Sequence, residues 1–384
     1  MLSDNRLDIR PIRAAFLGGG KSSAVGRAHY AAIHLDGLFK LTAGCFSRDR
    51  KENIESAHVY GVPEQNCCSS FEDLIKLHNT EFDALIVLTP TNQHYAAISS
   101  CLAHGVTVIS EKSLVTSLKE AKKLAELQAK SNSYLCVTYN YTGYPMTREL
   151  RALVQQGALG EVQQVMLEMP QEGFIRLDTN GNPVIPQKWR LSDSTVPTVS
   201  LDLGAHLQMF IEFLTGQDVQ EVIATTNSYG NFTEIDDSVS CIARYHSGMT
   251  CHFWYTKAAL GYRNGMRIRL FGSKGSAEWT QTEPEILHLA DSSGRRSTLD
   301  RGSPDVSECN KLRYTRFKAG HPAGYIEAFA NYYADVASEI SQLTSGEPVS
   351  SPYVFGVEKE VKSMALMEAI HLSSASRKWV AVDG

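Results

Sequence analysis

The sequence lacks the features of a membrane protein or a nucleic-acid-binding protein. No uninterrupted apolar run approaches the ~18 residues that a membrane-spanning helix needs, and the first eight residues carry acids where a signal peptide needs a basic start. The 37 lysine and arginine residues are outnumbered by 42 aspartate and glutamate residues, so the formal net charge is -5. This charge does not attract nucleic acid or anionic membranes, so neither is an expected partner, and the cytoplasm is the expected location.

The sequence also lacks a framework for metal ions or disulfides. Its eight cysteines are scattered, and the adjacent Cys67 and Cys68 have neither the CxxC spacing of a zinc or redox site nor a histidine set nearby. We therefore expect reduced, structural cysteines and no metal.

What the sequence does contain is enough apolar material for two cores. Of its 384 residues, 43% are hydrophobic and 21% charged, and domains of about 150 residues predict two of them. Up to about residue 140, short apolar runs alternate with helix-like segments, which is typical of a parallel, doubly wound α/β sheet. The predicted strands are residues 12–17, 41–46, 84–88, 106–109 and 134–139, and the predicted helices are residues 25–35, 71–78, 95–104 and 117–129.

Beyond about residue 145 the pattern changes to longer strands in which polar and apolar residues alternate. Val239, Cys241, Ala243 and Tyr245 would share one face, which predicts an open, predominantly antiparallel sheet with one buried side in an α+β domain. Residues 272–275 fit a turn, and the polar residues 291–309 are expected to form a loop. A large sheet face is rarely left in water, so a homodimer or homotetramer is expected.

A glycine-rich loop lies between the first predicted strand and helix. Residues 18–26 read Gly-Gly-Gly-Lys-Ser-Ser-Ala-Val-Gly. Glycines let the backbone approach a pyrophosphate, and the amides and dipole of a helix N-terminus favour its charge. One such loop alone is common, but strand, loop and helix in this order favour a nucleotide site. Gly26 stands later than the usual third glycine, which predicts a longer loop.

Two further segments carry candidate chemistry. The pair Glu111 and Lys112 follows the apolar residues 106–109, which places a lysine at the carboxyl edge of the parallel sheet, where such folds bind ligands. Asp202 and His206 are four residues apart, so in a helix they share a face. The alternative is an aspartate that favours a helix dipole and a histidine packed in the core. Together, a lysine, an aspartate and a histidine supply the base and the donors that oxidation of a secondary alcohol needs.

These residues resemble the Gfo/Idh/MocA oxidoreductases, which include glucose-fructose oxidoreductase and inositol dehydrogenase. The resemblance covers nearly the whole chain. It rests on four ordered motifs: residues 18–26 with His29 behind them, residues 89–94 (Thr-Pro-Thr-Asn-Gln-His), Glu111-Lys112, and residues 202–206 (Asp-Leu-Gly-Ala-His). Later stretches look like the levoglucosan dehydrogenase-like branch, namely Trp189-Arg190, residues 271–275 with Trp279, and residues 320–325.

The resemblance implies a Rossmann domain over residues 1–140 and a substrate-binding and oligomerisation domain over residues 141–384. It implies NAD(P)-dependent oxidation or reduction at one carbon of a sugar, sugar derivative or cyclitol. Lys112 would touch the substrate and the nicotinamide ribose, His206 would be the general acid/base, and Asp202 would bind and orient the substrate. The residues expected at the dinucleotide are Gly18, Gly20, Ser23, Val25, Gly26, Ser47, Arg48, Thr89, Pro90, Asn92, His94, Glu111 and Lys112.

Two positions leave questions open. Ser113 stands where the family usually has proline, which would restrict the backbone of the lysine before it. At the end of the second strand, Ser47 and Arg48 could accept the 2′-phosphate of NADP, while Asp49 could reach the ribose of NAD. The sequence therefore predicts NAD or NADP without choosing between them.

Tyr141, Arg176 and Trp189, with Arg190, are candidates for the substrate-pocket wall, because flat rings with polar tips suit a sugar. Each could equally be ordinary packing, and His321 could either enter a pocket or lie in a loop.

One alternative function is a non-catalytic dinucleotide-binding sensor. Another is a dehydrogenase of nucleotide-activated sugars, for which a basic cleft would be needed from the arginines at positions 176, 190, 263 and 267.

Overall fold

The computed structural model describes residues 10–131, 133–349 and 351–383. These residues form two compact units. The first unit contains the chain up to Leu114, together with Lys123–Thr138 and Phe329–Val357. The second unit contains Val115–Lys122, Tyr139–Ala328 and the chain from Glu358 onward.

The first unit is built on a five-stranded parallel sheet. Its strand order is β2-β1-β3-β4-β5, and its strands are β1 (Ile12–Gly18), β2 (Phe39–Cys45), β3 (Ala84–Leu88), β4 (Thr107–Glu111) and β5 (Leu135–Thr138). The central strand β3 is buried along its whole length on both faces, which is why it reads as a continuous apolar run in the sequence. The predicted doubly wound α/β sheet is confirmed.

Helices alternate with these strands. They are α1 (Ala24–Leu35), α2 (Arg50–Val59), α3 (Phe71–Lys76), α4 (His94–Ala103) and α5 (Leu118–Ser131). The sequence analysis missed α2, because its residues Arg-Lys-Glu-Asn-Ile-Glu-Ser-Ala-His-Val show almost no apolar stripe. The helix is instead started by a cap, since the Asp49 side chain accepts a hydrogen bond from the backbone N–H of Glu52.

The second unit is built on a nine-stranded sheet. Its order is β13-β12-β11-β10-β6-β9-β8-β7-β14, and all neighbours are antiparallel except β6 and β9. The strands are β6 (Val162–Pro170), β7 (Val219–Asn227), β8 (Ser238–Tyr245), β9 (Thr250–Thr256), β10 (Arg267–Gly272), β11 (Gly275–Thr280), β12 (Leu287–Asp291), β13 (Arg296–Leu299) and β14 (Val380–Ala381). The predicted open, mostly antiparallel mixed sheet is confirmed.

One face of this sheet is buried, as the alternation predicts. Val239, Cys241, Ala243 and Tyr245 of β8 are all buried, while Trp254 and Phe271 on the other face are more than a third exposed. The remaining helices are α6 (Pro145–Gln155), α7 (Ala205–Thr215), α8 (Tyr325–Thr344) and α9 (Val357–Ser376).

One expectation about the second sheet was wrong. The polar residues 291–309 contain a strand, β13, which pairs with β12 at the edge of the sheet. Three of its four residues are exposed, so backbone pairing alone defines it and no apolar pattern marks it. No helix within the described ranges is long and apolar enough to cross a membrane.

Candidate functional site

The glycine loop lies where the strand order of the first sheet reverses, between β1 and β3, which is where open α/β sheets bind ligands. Gly18 ends β1 with a φ of +82°, and a Cβ on it would be 2.9 Å from the backbone of Leu88. A Cβ on Gly26 would be only 2.0 Å from the carbonyl oxygen of Gly19. The loop therefore packs directly on the first turn of α1, which only glycine permits at these two positions.

The start of α1 and the end of β3 complete an anion-binding edge. Ser23 caps α1 by accepting a hydrogen bond from the N–H of Gly26 at 3.1 Å, and no acidic residue lies in the first turn. Val25, in that turn, is 40% exposed. Beside the loop, the buried Oγ1 of Thr89 has no hydrogen-bond partner among the described residues. A helix N-terminus, a glycine cradle and an unsatisfied hydroxyl together fit the pyrophosphate of a dinucleotide.

The segment after β2 contains a carboxylate that the sequence analysis missed. The side chain of Glu52, in the first turn of α2, accepts a hydrogen bond from Ser47 Oγ at 3.2 Å and another from Ser22 Oγ of the glycine loop. Arg48 is exposed, and the carboxylate of Asp49 is engaged as the cap of α2. The Asp49-x-x-Glu52 spacing is a capping-box signature, so the sequence did hold a signal for this helix start.

Glu111 anchors the turn that carries Lys112. Its carboxylate accepts hydrogen bonds from His29 Nε2 at 3.1 Å and from Thr138 Oγ1, and Nδ1 of the buried His29 lies 2.6 Å from Oη of Tyr333. Burial alone would raise the pKa of Glu111, but His29, Lys112 and Thr138 outweigh it and the pKa lies below its ordinary value. Glu111 is therefore an ionised group that holds the end of β4 in place.

We expect Glu111→Gln to lower the melting temperature at pH 7 by about 3 to 12 °C. A hydrogen bond to a charged group contributes roughly 1.5 to 3 kcal/mol, and each kcal/mol shifts a domain of this size by about 2 to 4 °C. Because the folded-state pKa is lowered, this stabilisation is complete above the ordinary value of 4.5 and is lost as the pH falls through the folded value.

Melting curves from pH 7 down to pH 3 check this prediction, since the difference between wild type and Glu111→Gln should shrink on acidification. Glu126→Gln, at an exposed position of α5, is the matched control and should shift the midpoint very little. A difference that does not change with pH would contradict the prediction.

His94 connects β3 to the same turn. The side chain is buried, and its ring nitrogens lie 2.7 Å from the carbonyl oxygen of Thr89 and 3.0 Å from that of Ser113. Burial lowers the pKa of His94 despite these two carbonyl neighbours. The peptide bond between Lys112 and Ser113 is cis. Of the other residues expected at the dinucleotide here, Pro90 is half-buried and Asn92 is exposed in the short turn Thr91–Gln93.

In the second unit, Asp202 and His206 lie on one continuous helical segment. Ser200–Gly204 forms a π-helical turn that runs directly into α7. The sequence predicts a helix here but not the π turn, a feature that is frequent at functional sites. Gly204 allows close packing, since a Cβ there would be 2.7 Å from Sδ of Met367. Asp202 has an 11% exposed side chain and His206 is 8% exposed.

Two cations pair with the Asp202 carboxylate. Lys257 Nζ lies 2.6 Å from Oδ2, and the guanidinium of Arg190 binds the same oxygen. Burial lowers the pKa of Arg190 to about 10, which still leaves it charged at neutral pH. Lys257, whose side chain is 7% exposed, directly follows β9. These pairs favour the ionised form of Asp202, so the carboxylate is available as a hydrogen-bond acceptor but is a poor general acid.

Two tyrosines pack edge-on against the imidazole of His206. The ring centroid of Tyr141 is 4.8 Å away and that of Tyr139 is 5.8 Å away, both at 87° to the imidazole plane. The hydroxyl of Tyr139 donates to the fully buried Glu360, while the hydroxyl of Tyr141 accepts from Nδ2 of Asn264 at 3.0 Å. The imidazole is thus held by two rings that are themselves anchored.

A chain of hydrogen bonds connects Asp202 to Tyr141. Lys257 donates to Oε1 of Gln171 at 3.1 Å, and Nε2 of Gln171 donates to Oδ1 of Asn264 at 3.0 Å. Sequence reasoning missed Gln171, Lys257 and Asn264. For Lys257 a signal existed, because it follows an alternating strand just as Lys112 follows an apolar one.

The other residues predicted for the substrate pocket make contacts of their own. Arg176 is half-exposed and pairs with Glu172 at 3.2 Å, and the guanidinium of Arg190 lies over the ring of Trp189 at 4.5 Å. His321 is exposed, and its carbonyl oxygen accepts a hydrogen bond from the buried Arg301, which fits the second of its two alternatives, a residue in a loop. Among the described residues, no group of three or more histidine, cysteine or acidic side chains could hold a metal ion.

Two family models match the chain. Residues 12–139 match a model described as an oxidoreductase family with an NAD-binding Rossmann fold, and residues 147–278 match the GFO/IDH/MocA C-terminal domain. Among curated proteins, the uncharacterized oxidoreductase YfiI of Bacillus subtilis (strain 168) is 30% identical over 349 residues, which cover 88% of each chain.

Solved structures share the whole architecture. An inositol dehydrogenase homolog from Azotobacter vinelandii, complexed with NADH and myo-inositol, aligns with a TM-score of 0.88 at 27% identity and covers 97% of this chain and 98% of that one. Levoglucosan dehydrogenase, in complex with NADH and levoglucosan, aligns with a TM-score of 0.81 at 19% identity, covers 98% of this chain and 100% of that one, and shows the fold alone.

These matches confirm the family resemblance, the fold class, an oxidoreductase enzyme and a nicotinamide dinucleotide cofactor, while the roles of individual residues stay predictions. The chain belongs to the GFO/IDH/MocA family of NAD-binding oxidoreductases.

Proposed function

We propose that this protein oxidises a secondary alcohol, or reduces the corresponding ketone, at one carbon of a sugar, sugar derivative or cyclitol. The observation that carries the proposal is the arrangement of Asp202 and His206 on one helical segment, with the carboxylate paired to two cations and two tyrosines packed against the imidazole. The A. vinelandii structure supports the substrate class, because that similar protein was crystallised with NADH and myo-inositol.

The residues of this chain would have separate roles in proton transfer and in substrate binding. When bound, the dinucleotide supplies a nicotinamide ring that exchanges a hydride with the substrate carbon. His206 would take the hydroxyl proton during oxidation and return it during reduction, since an imidazole titrates near neutral pH. Lys112 would donate a hydrogen bond to the substrate oxygen and stabilise negative charge that develops there. Asp202, kept ionised by Lys257 and Arg190, would accept hydrogen bonds from neighbouring hydroxyls and orient the substrate.

The dinucleotide would be held by groups of the first unit. Backbone amides of the glycine loop and the start of α1 suit the pyrophosphate, and the hydroxyl of Thr89 would serve the same ligand. Glu111 and His94 would act indirectly, because their polar atoms are engaged in holding the turn at Lys112.

The structure gives less support to a nucleotide-activated sugar as substrate. Each of the four arginines that would form a basic cleft is paired with a carboxylate. The pairs are Arg176 and Arg263 with Glu172, Arg190 with Asp202, and Arg267 with Glu168 and Glu278. Paired arginines leave little excess positive charge to attract a diphosphate.

We propose further that the exposed face of the nine-stranded sheet joins copies of the chain into a homodimer or homotetramer. Ile223, Ile242, Trp254 and Phe271 contribute apolar surface to this face, next to charged residues such as Glu168 and Arg269. A mass in light scattering equal to one chain of 42.4 kDa would reject this assembly.

A cytoplasmic location is also proposed, and the eight free thiols suit a reducing compartment.

Absorbance of reduced nicotinamide tests the proposed reaction. The purified protein should reduce NAD in the presence of at least one member of a panel of sugars, sugar acids, cyclitols and sugar nucleotides, and Lys112→Ala should abolish that signal. Turnover confined to a sugar nucleotide, with inhibition by a free nucleoside diphosphate, would favour that alternative. Tight NADH binding without turnover on any member would favour a sensor.

A further inference from the structure

The carboxylate of Glu52 occupies the junction between two segments that a bound dinucleotide must approach. One segment is the glycine loop, through Ser22 Oγ, and the other is the end of β2, through Ser47 Oγ at 3.2 Å. A Cβ built on Gly20 would lie 3.3 Å from Oε1 of Glu52, so the carboxylate reaches the backbone of the loop as well. The side chain is half-buried and therefore held in position while still accessible.

In a strand-loop-helix dinucleotide site, the pyrophosphate lies at the glycine loop and the adenosine ribose lies at the end of the second strand. Enzymes specific for NAD usually place an acidic residue at that strand end to bind the ribose 2′-hydroxyl. This chain has Phe46 and Ser47 there instead. Glu52 brings a carboxylate to the same place from the first turn of the following helix, which Asp49 caps.

The surrounding charges do not replace Glu52. Asp49 uses its carboxylate as the helix cap, and Glu55, one turn further along α2, pairs with Lys21 of the loop at 3.2 Å. Lys21 is thus partly neutralised by a neighbour. Arg48 is exposed on the same segment and is a cation near Ser47 that could favour a 2′-phosphate.

We infer that Glu52 selects NAD over NADP. Each carboxylate oxygen can accept more than one hydrogen bond, so Glu52 can bind the ribose hydroxyls while it keeps its two serine partners. The 2′-phosphate of NADP would bring a second anion to this carboxylate, and like charges at contact distance disfavour binding. The side chain of Arg48 is exposed, so its attraction to the 2′-phosphate offsets only part of this unfavourable interaction. The inference rests on the cofactor assignment and not on the identity of the substrate.

Cofactor binding without any sugar tests the inference. Dissociation constants for NADH and NADPH can be measured by fluorescence titration of the full chain. We expect the wild type to bind NADH at least tenfold more tightly than NADPH. Glu52→Gln should shift the ratio of the two constants toward NADPH by about tenfold or more. Glu126→Gln, which removes an exposed carboxylate from α5, should leave the ratio unchanged.

A second variant separates the charge of Glu52 from its structural contacts. Ser22→Ala with Ser47→Ala removes both serine partners but keeps the carboxylate, so the preference for NADH should persist even if both constants rise. Tighter NADPH binding by the wild type, an unchanged ratio in Glu52→Gln, or a loss of preference in the double serine variant would each overturn the inference. Because no substrate is present, these outcomes are independent of whether the protein turns over any sugar.

Discussion

Replacing His206 by alanine is expected to lower kcat by about 10² to 10⁴-fold, the usual contribution of a positioned general acid or base. The imidazole is 8% exposed and packs against Tyr139 and Tyr141, so its removal deletes the proposed proton-transfer group and also leaves a cavity beside these rings. KM should change much less than kcat if the group acts mainly in the transition state. Steady-state kinetics with the substrate found in the panel, together with NADH affinity, measure this.

The matched control is His321→Ala. This histidine is exposed in a loop, and alanine keeps the carbonyl oxygen that accepts the hydrogen bond from Arg301. The substitution should therefore leave kcat within about twofold. Asparagine at position 206 offers a second comparison, since it preserves hydrogen bonding without a group that titrates near neutrality. Turnover close to wild type in both His206 variants would remove the acid/base assignment and leave the imidazole a packing role.

Replacing Lys257 by methionine is expected to lower kcat/KM by about 100-fold. Methionine fills the space but removes one of the two cations that pair with Asp202 in the described residues, Arg190 being the other, and it removes the donor to Gln171. Loss of one cation next to a nearly buried carboxylate favours its protonated form, so Asp202 should lose part of its charge as an acceptor for substrate hydroxyls. The chain of hydrogen bonds through Gln171 and Asn264 to Tyr141 would be interrupted at its first link.

A merely structural role for Lys257 can be separated from this effect. Lys257→Arg keeps the charge and should restore part of kcat/KM, whereas Lys362→Met removes an exposed lysine that pairs with Asp218 and should change nothing measurable. On acidification, the kcat/KM of Lys257→Met should begin to fall at a higher pH than that of the wild type, because Asp202 protonates more readily in the variant. An unaltered acid limb with unchanged kcat/KM would contradict the positioning role.

Most of the first sheet was predictable because its strands are buried on both faces. Residues such as Ala84–Leu88 must then be apolar without interruption, and the helices between them carry apolar stripes that can be read from spacing. Two of the elements that were missed, α2 and β13, have no such stripe. A cap at Asp49 and backbone pairing at the sheet edge define them, and neither depends on hydrophobic periodicity.

The candidate site divides in the same way. Short motifs in the sequence contain some of the site residues, namely Gly18, Gly26, Lys112, Asp202 and His206. These could be predicted because a tight turn or one helical turn brings neighbouring residues together. The groups that hold these residues come from distant parts of the chain. Tyr333 reaches His29, Glu360 reaches Tyr139, and Asn264 reaches Tyr141, and no local pattern marks any of them.

The sequence by itself determined the fold class, the nicotinamide dinucleotide cofactor and the family, since these depend on local periodicity, glycine placement and motif order. Only the tertiary structure decided which charges meet. Asp202 pairs with Arg190 and Lys257, and Glu52 faces both Ser22 and Ser47, because loops and strands far apart in the chain converge on the same few ångströms. Electrostatic interactions depend on distance and burial, and for residues far apart in the chain neither quantity can be obtained from the order of the residues.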